Sequence, residues 1–123
     1  MAYKDFGTYS QESVDYPKYA SSVTESVKPG ECERSILCCG TGVGISIATN
    51  KVSGIRAAVV GDCFTSKATK EHNNSNTICL GERVTGEGLA LMVDDAWLNT
   101  ELTGEKHQIR LNQIKELEEK YSK

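Results

Sequence analysis

The sequence predicts an α/β fold, a parallel sheet covered by helices on both faces, and three observations predict it. Short apolar segments alternate with stretches of helical periodicity; a glycine-rich turn joins one such segment to the helix after it; and 123 residues, 38% hydrophobic and 25% charged, suit one domain with one core. Sheets of this kind place ligands at the C-terminal ends of their strands.

In chain order, Asp15-Tyr16-Pro17 reads as a helix start, with Pro17 in the first turn and Tyr19, Ala20, Val23 and Val27 at helical spacing, until Pro29-Gly30 stops it. A strand is expected over Ser35–Cys39, a helix over 44–51, a strand over 55–60, a helix over 65–72, a strand over 77–80 and a helix over Glu87–Leu98. Cys39, Asp62 and Gly81 then fall at strand C-terminal ends. The last segment, 106–123, is a charged helix in which Ile109, Ile114, Leu117 and Tyr121 form an apolar stripe for the domain or for a partner subunit.

A net charge of −3 and a pI near 5.4 argue against a sequence-independent nucleic-acid binder, although a local basic pocket remains compatible with them. The longest apolar runs, 36–39 and 57–60, are far too short to span a membrane, and Met1-Ala2-Tyr3-Lys4-Asp5 is no signal peptide. A soluble cytoplasmic protein is expected. The five cysteines, Cys32, Cys38, Cys39, Cys63 and Cys79, are odd in number and lack paired C-x-x-C spacing, which suggests neither a disulfide framework nor a zinc site. Cys38 and Cys39, adjacent on a strand, point to opposite faces.

Chemistry concentrates at Cys39-Gly40-Thr41-Gly42-Val43-Gly44. A thiol between a strand end and a helix N-terminus meets backbone N–H groups and the positive end of a helix dipole, both of which favour its thiolate. The same amides suit an anionic oxygen. The turn is not a Walker loop, because no Gly-Lys-Ser/Thr follows, and its spacing departs from G-x-G-x-x-G. Against a reactive role stands the ordinary behaviour of free cysteine as a small buried hydrophobe. His72 sits where a helix gives way to Asn73-Asn74, as a helix end or an exposed acid. Lys106 and Arg110, with His107 between them, share a helix face, where solvated charge is the plain alternative.

Together, Asp5-Phe6-Gly7-Thr8-Tyr9, Val14-Asp15-Tyr16-Pro17, the segment 37–46, Asn50-Lys51, Gly54-Ile55-Arg56-Ala57-Ala58, Glu71-His72-Asn73, Gly81-Glu82-Arg83-Val84, Asp95-Ala96-Trp97-Leu98 and His107-Gln108-Ile109-Arg110 resemble the type B ribose-5-phosphate isomerases over essentially the whole chain. The resemblance implies a three-layer α/β/α sandwich with a Rossmann-like sheet. It implies aldose–ketose isomerisation of a sugar phosphate through an enediolate, without cofactor or metal. By the resemblance Cys39 is the base, and the amides of Gly40, Gly42, Val43 and Gly44 with Thr41 are the enediolate's donors. His72 opens the sugar ring, Asn73 contacts substrate, Tyr16 lines the pocket, Arg110 binds phosphate and Arg83 is a further basic site residue. It also implies a homodimer or homotetramer with sites at subunit contacts, and no nucleic-acid or membrane partner.

Two departures from the family pattern carry expectations. Lys106 stands where the family has a second phosphate-binding arginine, which keeps the charge but loses the planar fork. The sequence also starts at what resembles the family's second strand, without the opening strand, its Asp-His pair and the first helix, roughly 25 residues on average element lengths. A single, N-terminally shortened domain over 1–123 is therefore expected, with exposed strand edges and impaired turnover relative to a complete chain. Ribose 5-phosphate is the leading substrate and a six-carbon aldose phosphate the alternative within the class. A non-catalytic assembly subunit and a redox sensor using Cys38-Cys39 are the readings from other classes.

Overall fold

The computed structural model describes residues 3–8, 12–27 and 30–121. In chain order its elements are α1 (Tyr16–Val27), β1 (Ser35–Cys39), α2 (Val43–Thr49), β2 (Ala57–Val59), α3 (Cys63–Asn73), β3 (Thr77–Gly81), α4 (Glu87–Leu98) and α5 (Glu105–Tyr121). The strands form one parallel sheet in the order β1-β3-β2, with Ser35 opposite Thr77 and Cys39 opposite Gly81. Among the described residues no helix is long and apolar enough to cross a membrane.

Every residue of the central strand β3 is buried, and the alternation of its side chains divides the core. Ile78 and Leu80 face α3 and α4, packing with Val60, Val93 and Trp97. Cys79 faces the other way, with Leu37, Ala20 of α1 and Ile45 of α2. The outcome is the expected three-layer α/β/α arrangement. Several polar groups inside it are paired: Trp97 Nε1 donates to Ser75 Oγ at 2.9 Å, Ser66 Oγ to the Val93 carbonyl at 2.8 Å, and the Ser35 and Thr77 hydroxyls meet at 2.7 Å.

The boundaries differ from expectation for identifiable reasons. Helix α3 begins at Cys63 rather than residue 65 because the Asp62 carboxylate accepts the Thr65 amide at 2.6 Å and caps the helix there. Strand β2 is only Ala57–Val59, since Ile55 closes a turn onto Val52 and the Asn50 side chain takes both backbone groups of Ala57, at 2.9 Å each. Helix α2 ends at Thr49, two residues early. The stop at Pro29 and the final two residues of the expected 106–123 helix lie outside the described residues.

One expectation is corrected and another is narrowed. Residues 3–8 form no strand; Gly7 N donates to Asp5 Oδ1 at 2.8 Å, a local turn bond instead of a ladder bond, and Lys4 pairs with Glu31 at 3.0 Å. Strand β1 is consequently an edge, and Ile36 and Cys38, on the sheet face they share with Ile78 and Leu80, are exposed. Of the two destinations open to the stripe on α5, the domain is the one it does not take. Leu111 is the buried residue of that helix, whereas Ile109, Ile114, Leu117 and Tyr121 are exposed, and Glu118 ties the helix down by accepting the Gly54 amide at 3.1 Å.

Candidate active site

At the C-terminal end of β1 the chain turns through Gly40, Thr41 and Gly42 into α2, and the turn wraps around the Cys39 sulfur. Gly42 N donates to Cys39 Sγ at 3.1 Å, so the thiol occupies the place of a side-chain cap that α2 otherwise lacks. Burial pushes the Cys39 thiol up, but the amides of Ile45, Gly42, Thr41 and Gly44 together outweigh it and hold the thiol below its ordinary value. Its neighbours behave oppositely. Burial, then Asp94 and the other nearby acidic groups, raise Cys38, and burial pushes Cys79 up to about 12. Of the three thiols on the sheet, only Cys39 is biased toward the anion.

Two glycines make this geometry possible. Gly42 has φ 84°, and a Cβ there would come within 3.0 Å of the Leu80 carbonyl carbon. A Cβ on Gly44 would run into the Tyr16 phenol ring, so its bare backbone is what lets Tyr16 lie against the turn. Thr41 Oγ1 accepts the Val43 amide at 3.3 Å and remains exposed at the turn's tip. From the neighbouring strand end, Glu82 N and Arg83 N donate to the carbonyls of Cys39 and Gly40 at 2.9 and 3.0 Å, which carries Arg83 to the rim. Cys39, Gly40, Thr41, Gly42, Val43, Gly44, Tyr16 and Arg83 thus form one constellation.

His72, Asn73, Lys106 and Arg110 form another, at the opposite end of the sheet. Helix α3 leaves the C-terminal end of β2 and runs back antiparallel to the strands; eleven residues carry it about 16 Å. It ends with Asn74 in the left-handed region at φ 44°, where Arg56, just before β2, donates to the Asn73 and Asn74 carbonyls at 3.0 to 3.3 Å. His72 in this last turn stacks on His107 of α5, ring centroids 4.3 Å apart and planes inclined 20°. Lys106 and Arg110 flank His107, exposed. Within one chain, then, Cys39 and His72 are held apart by the length of the sheet.

His107 is the residue that sequence reasoning passed over. It stands in the sequence only between Lys106 and Arg110 and at the head of a motif, without a role, because a stack between the end of one helix and the start of a distant one has no local signature. Partial desolvation, then the charges of His72, Arg110 and Lys106, hold His107 below the ordinary imidazole value, with Glu71 opposing.

Comparison with known proteins places this architecture. The family model described as Ribose/Galactose Isomerase matches residues 1–114. Ribose-5-phosphate isomerase B of Escherichia coli is 47% identical over 116 residues, covering 94% of this chain and 78% of that protein. Galactose-6-phosphate isomerase subunit LacB of Clostridium acetobutylicum is 45% identical over 94 residues, 76% of this chain and 54% of that one. The structure of ribose-5-phosphate isomerase B from Clostridium thermocellum superposes with a TM-score of 0.94 at 53% identity, covering 97% of this chain and 80% of that chain. The match of fold, sequence and family model together establish that this chain belongs to the Ribose/Galactose Isomerase family of sugar-phosphate isomerases.

Proposed function

We infer that the chain interconverts ribose 5-phosphate and ribulose 5-phosphate through an enediolate, with Cys39 as the base. The observation that carries this reading is the thiol held toward its anion by amides of the turn that follows it. The Cys39 thiolate takes the proton from C2 of the open-chain aldose and returns it to C1, while the hydroxyl proton passes from O2 to O1, so the isomerisation is balanced without any other reactant. Charge develops on O1 and O2 between these transfers. The amides of Gly40, Gly42, Val43 and Gly44 and the Thr41 hydroxyl are the donors for it, fixed before the charge appears. Tyr16 bounds the pocket, and Arg83 supplies positive charge at its rim.

Ring opening precedes this step: His72 passes a proton to the ring oxygen as the C1–O bond breaks, the anomeric hydroxyl gives its proton to solvent water, and solvent returns one to His72. An imidazole suits a transfer near neutrality. Because His72, Asn73, Lys106 and Arg110 lie at the far end of the sheet from Cys39, the site is completed by a second copy of the chain, which brings those four residues to the Cys39 turn. The functional unit is therefore a homodimer, or a tetramer of such pairs, in the cytoplasm. Lys106 and Arg110 hold the phosphate.

A six-carbon aldose phosphate is the second reading, favoured by the similarity to a galactose-6-phosphate isomerase subunit. Conversion of ribose 5-phosphate and allose 6-phosphate, measured beside Cys39→Ala, tests both. We expect the variant to lose about 10²- to 10⁴-fold in kcat, the usual contribution of a general base. A folded Cys39→Ala chain with undiminished turnover would remove Cys39 from the chemistry.

A further inference from the structure

We propose that His107 positions His72, its imidazole serving as the plate against which the acid that opens the sugar ring lies flat. This rests on the reading of His72 given above and adds a residue that reading does not contain. The need for a plate follows from where His72 sits. Its side chain is about half exposed in the last turn of α3, and the torsion that turns an imidazole about its own axis is broad, so the ring plane is poorly fixed by its own helix. The His107 ring lies 4.3 Å away at 20°, an offset-stacking distance, and selects one plane. The two backbones are also joined beside the stack: Thr103 N, just ahead of α5, donates to the Glu71 carbonyl at 3.0 Å. His107 is therefore held where His72 needs it.

The charges around the pair are arranged unequally. On the α3 side, Glu71 Oε2 lies 4.0 Å from His72 Nε2, and Lys67 sits 3.7 Å from the other oxygen of the same carboxylate. On the α5 side, Lys106 and Arg110 face His107, with Glu71 the acidic group that reaches it. Helix polarity points the same way: a helix C-terminus, where His72 stands, favours a cation, and the first turn of α5, where His107 stands, disfavours one. Lys106 and Arg110 thereby have a use apart from phosphate: with His72 they disfavour a positive charge on His107.

The test combines ring NMR with turnover in the full chain. In the wild type the His72 ring protons carry a ring-current shift from His107; this shift is lost in His107→Ala and kept in His107→Phe. In His72→Phe, His107 titrates at higher pH than in the wild type, because a neighbouring positive charge is gone. For turnover of ribose 5-phosphate, His107→Ala loses about tenfold in kcat with KM little changed, comparable to the loss when a group that orients a metal-bound imidazole is removed, and His107→Phe restores it. Equal kcat in wild type and His107→Ala, or equal loss in His107→Ala and His107→Phe, overturns the positioning role. An unchanged His107 titration in His72→Phe overturns the coupling of the two rings. If His72→Ala turns over at the wild-type rate, the reading of His72 fails instead, and the NMR arm still decides whether the stack exists.

Discussion

Cys39 Sγ accepts a hydrogen bond from the Gly42 amide at 3.1 Å, across a turn whose Gly42 adopts φ 84°. The relationship joins a reactive group to a backbone conformation. The sulfur receives the N–H because the chain bends left-handed at Gly42, and the bend is available because no side chain stands there.

Gly42→Ala should therefore act on both stability and chemistry. A left-handed backbone costs an L-residue about 1–2 kcal/mol, and the new Cβ would sit 3.0 Å from the Leu80 carbonyl carbon. Urea unfolding should show a loss of at least that order. Alkylation of Cys39 in the variant should need a higher pH than in the wild type, because the amide that favours the thiolate has shifted.

The pH dependence of the wild type follows from the same contact. The Cys39 thiol is held below its ordinary value of 9.0, so its reactive anion forms at lower pH than that of a free thiol. Iodoacetamide labelling resolved by peptide should give Cys39 a midpoint below 9.0 and Cys38 a midpoint above it. The alkaline rise of kcat/KM should follow Cys39, with activity falling as pH drops through its midpoint. A common midpoint for the two thiols would contradict the assignment.

Substitution of the α5 cations should alter binding more than chemistry. Arg110→Ala should raise KM for a sugar phosphate at least tenfold with a much smaller change in kcat, the pattern of lost uniform binding. Lys106→Arg should lower KM, since a guanidinium offers phosphate a bidentate fork where an ammonium offers a point charge. Steady-state kinetics at fixed ionic strength distinguish these outcomes from a general loss of activity.

At the cap of α3, the Thr65 amide and then its hydroxyl hold the Asp62 carboxyl below 3.8. A lowered native value stabilises the fold above the unfolded value and loses that contribution as pH falls through the native one. Asp62→Ala should lower Tm at pH 7 and flatten the acid limb of Tm against pH. Equal Tm losses at pH 7 and pH 2 would show that the cap's charge is irrelevant.

Much of the fold was legible because alternating strands and helices leave separate periodicities, and the turn after Cys39 was legible because its glycines and thiol are contiguous. What the sequence hid is non-local. Nothing near residues 55–60 reveals that Asn50 would take both backbone groups of Ala57 and leave β2 at three residues. Nothing near 3–8 reveals that the segment would turn on Asp5 rather than join the sheet. The separation of Cys39 from His72 follows from α3 running back along the strands, a matter of topology rather than of either residue's neighbours. The His72–His107 stack needs α3 and α5 placed together before it can be seen at all.

The central claim is that one catalytic site takes Cys39 from one copy of the chain and His72 from another. Mixing Cys39→Ala and His72→Ala chains after joint unfolding and refolding tests it most directly, with ribose 5-phosphate conversion as the readout. The two-copy site predicts that each variant alone is nearly inactive and that the mixture recovers about a quarter of wild-type conversion, since half of randomly paired dimers are mixed and each mixed dimer carries one intact site. A mixture no more active than its two parents, in dimers shown by exchange to be mixed, would contradict it.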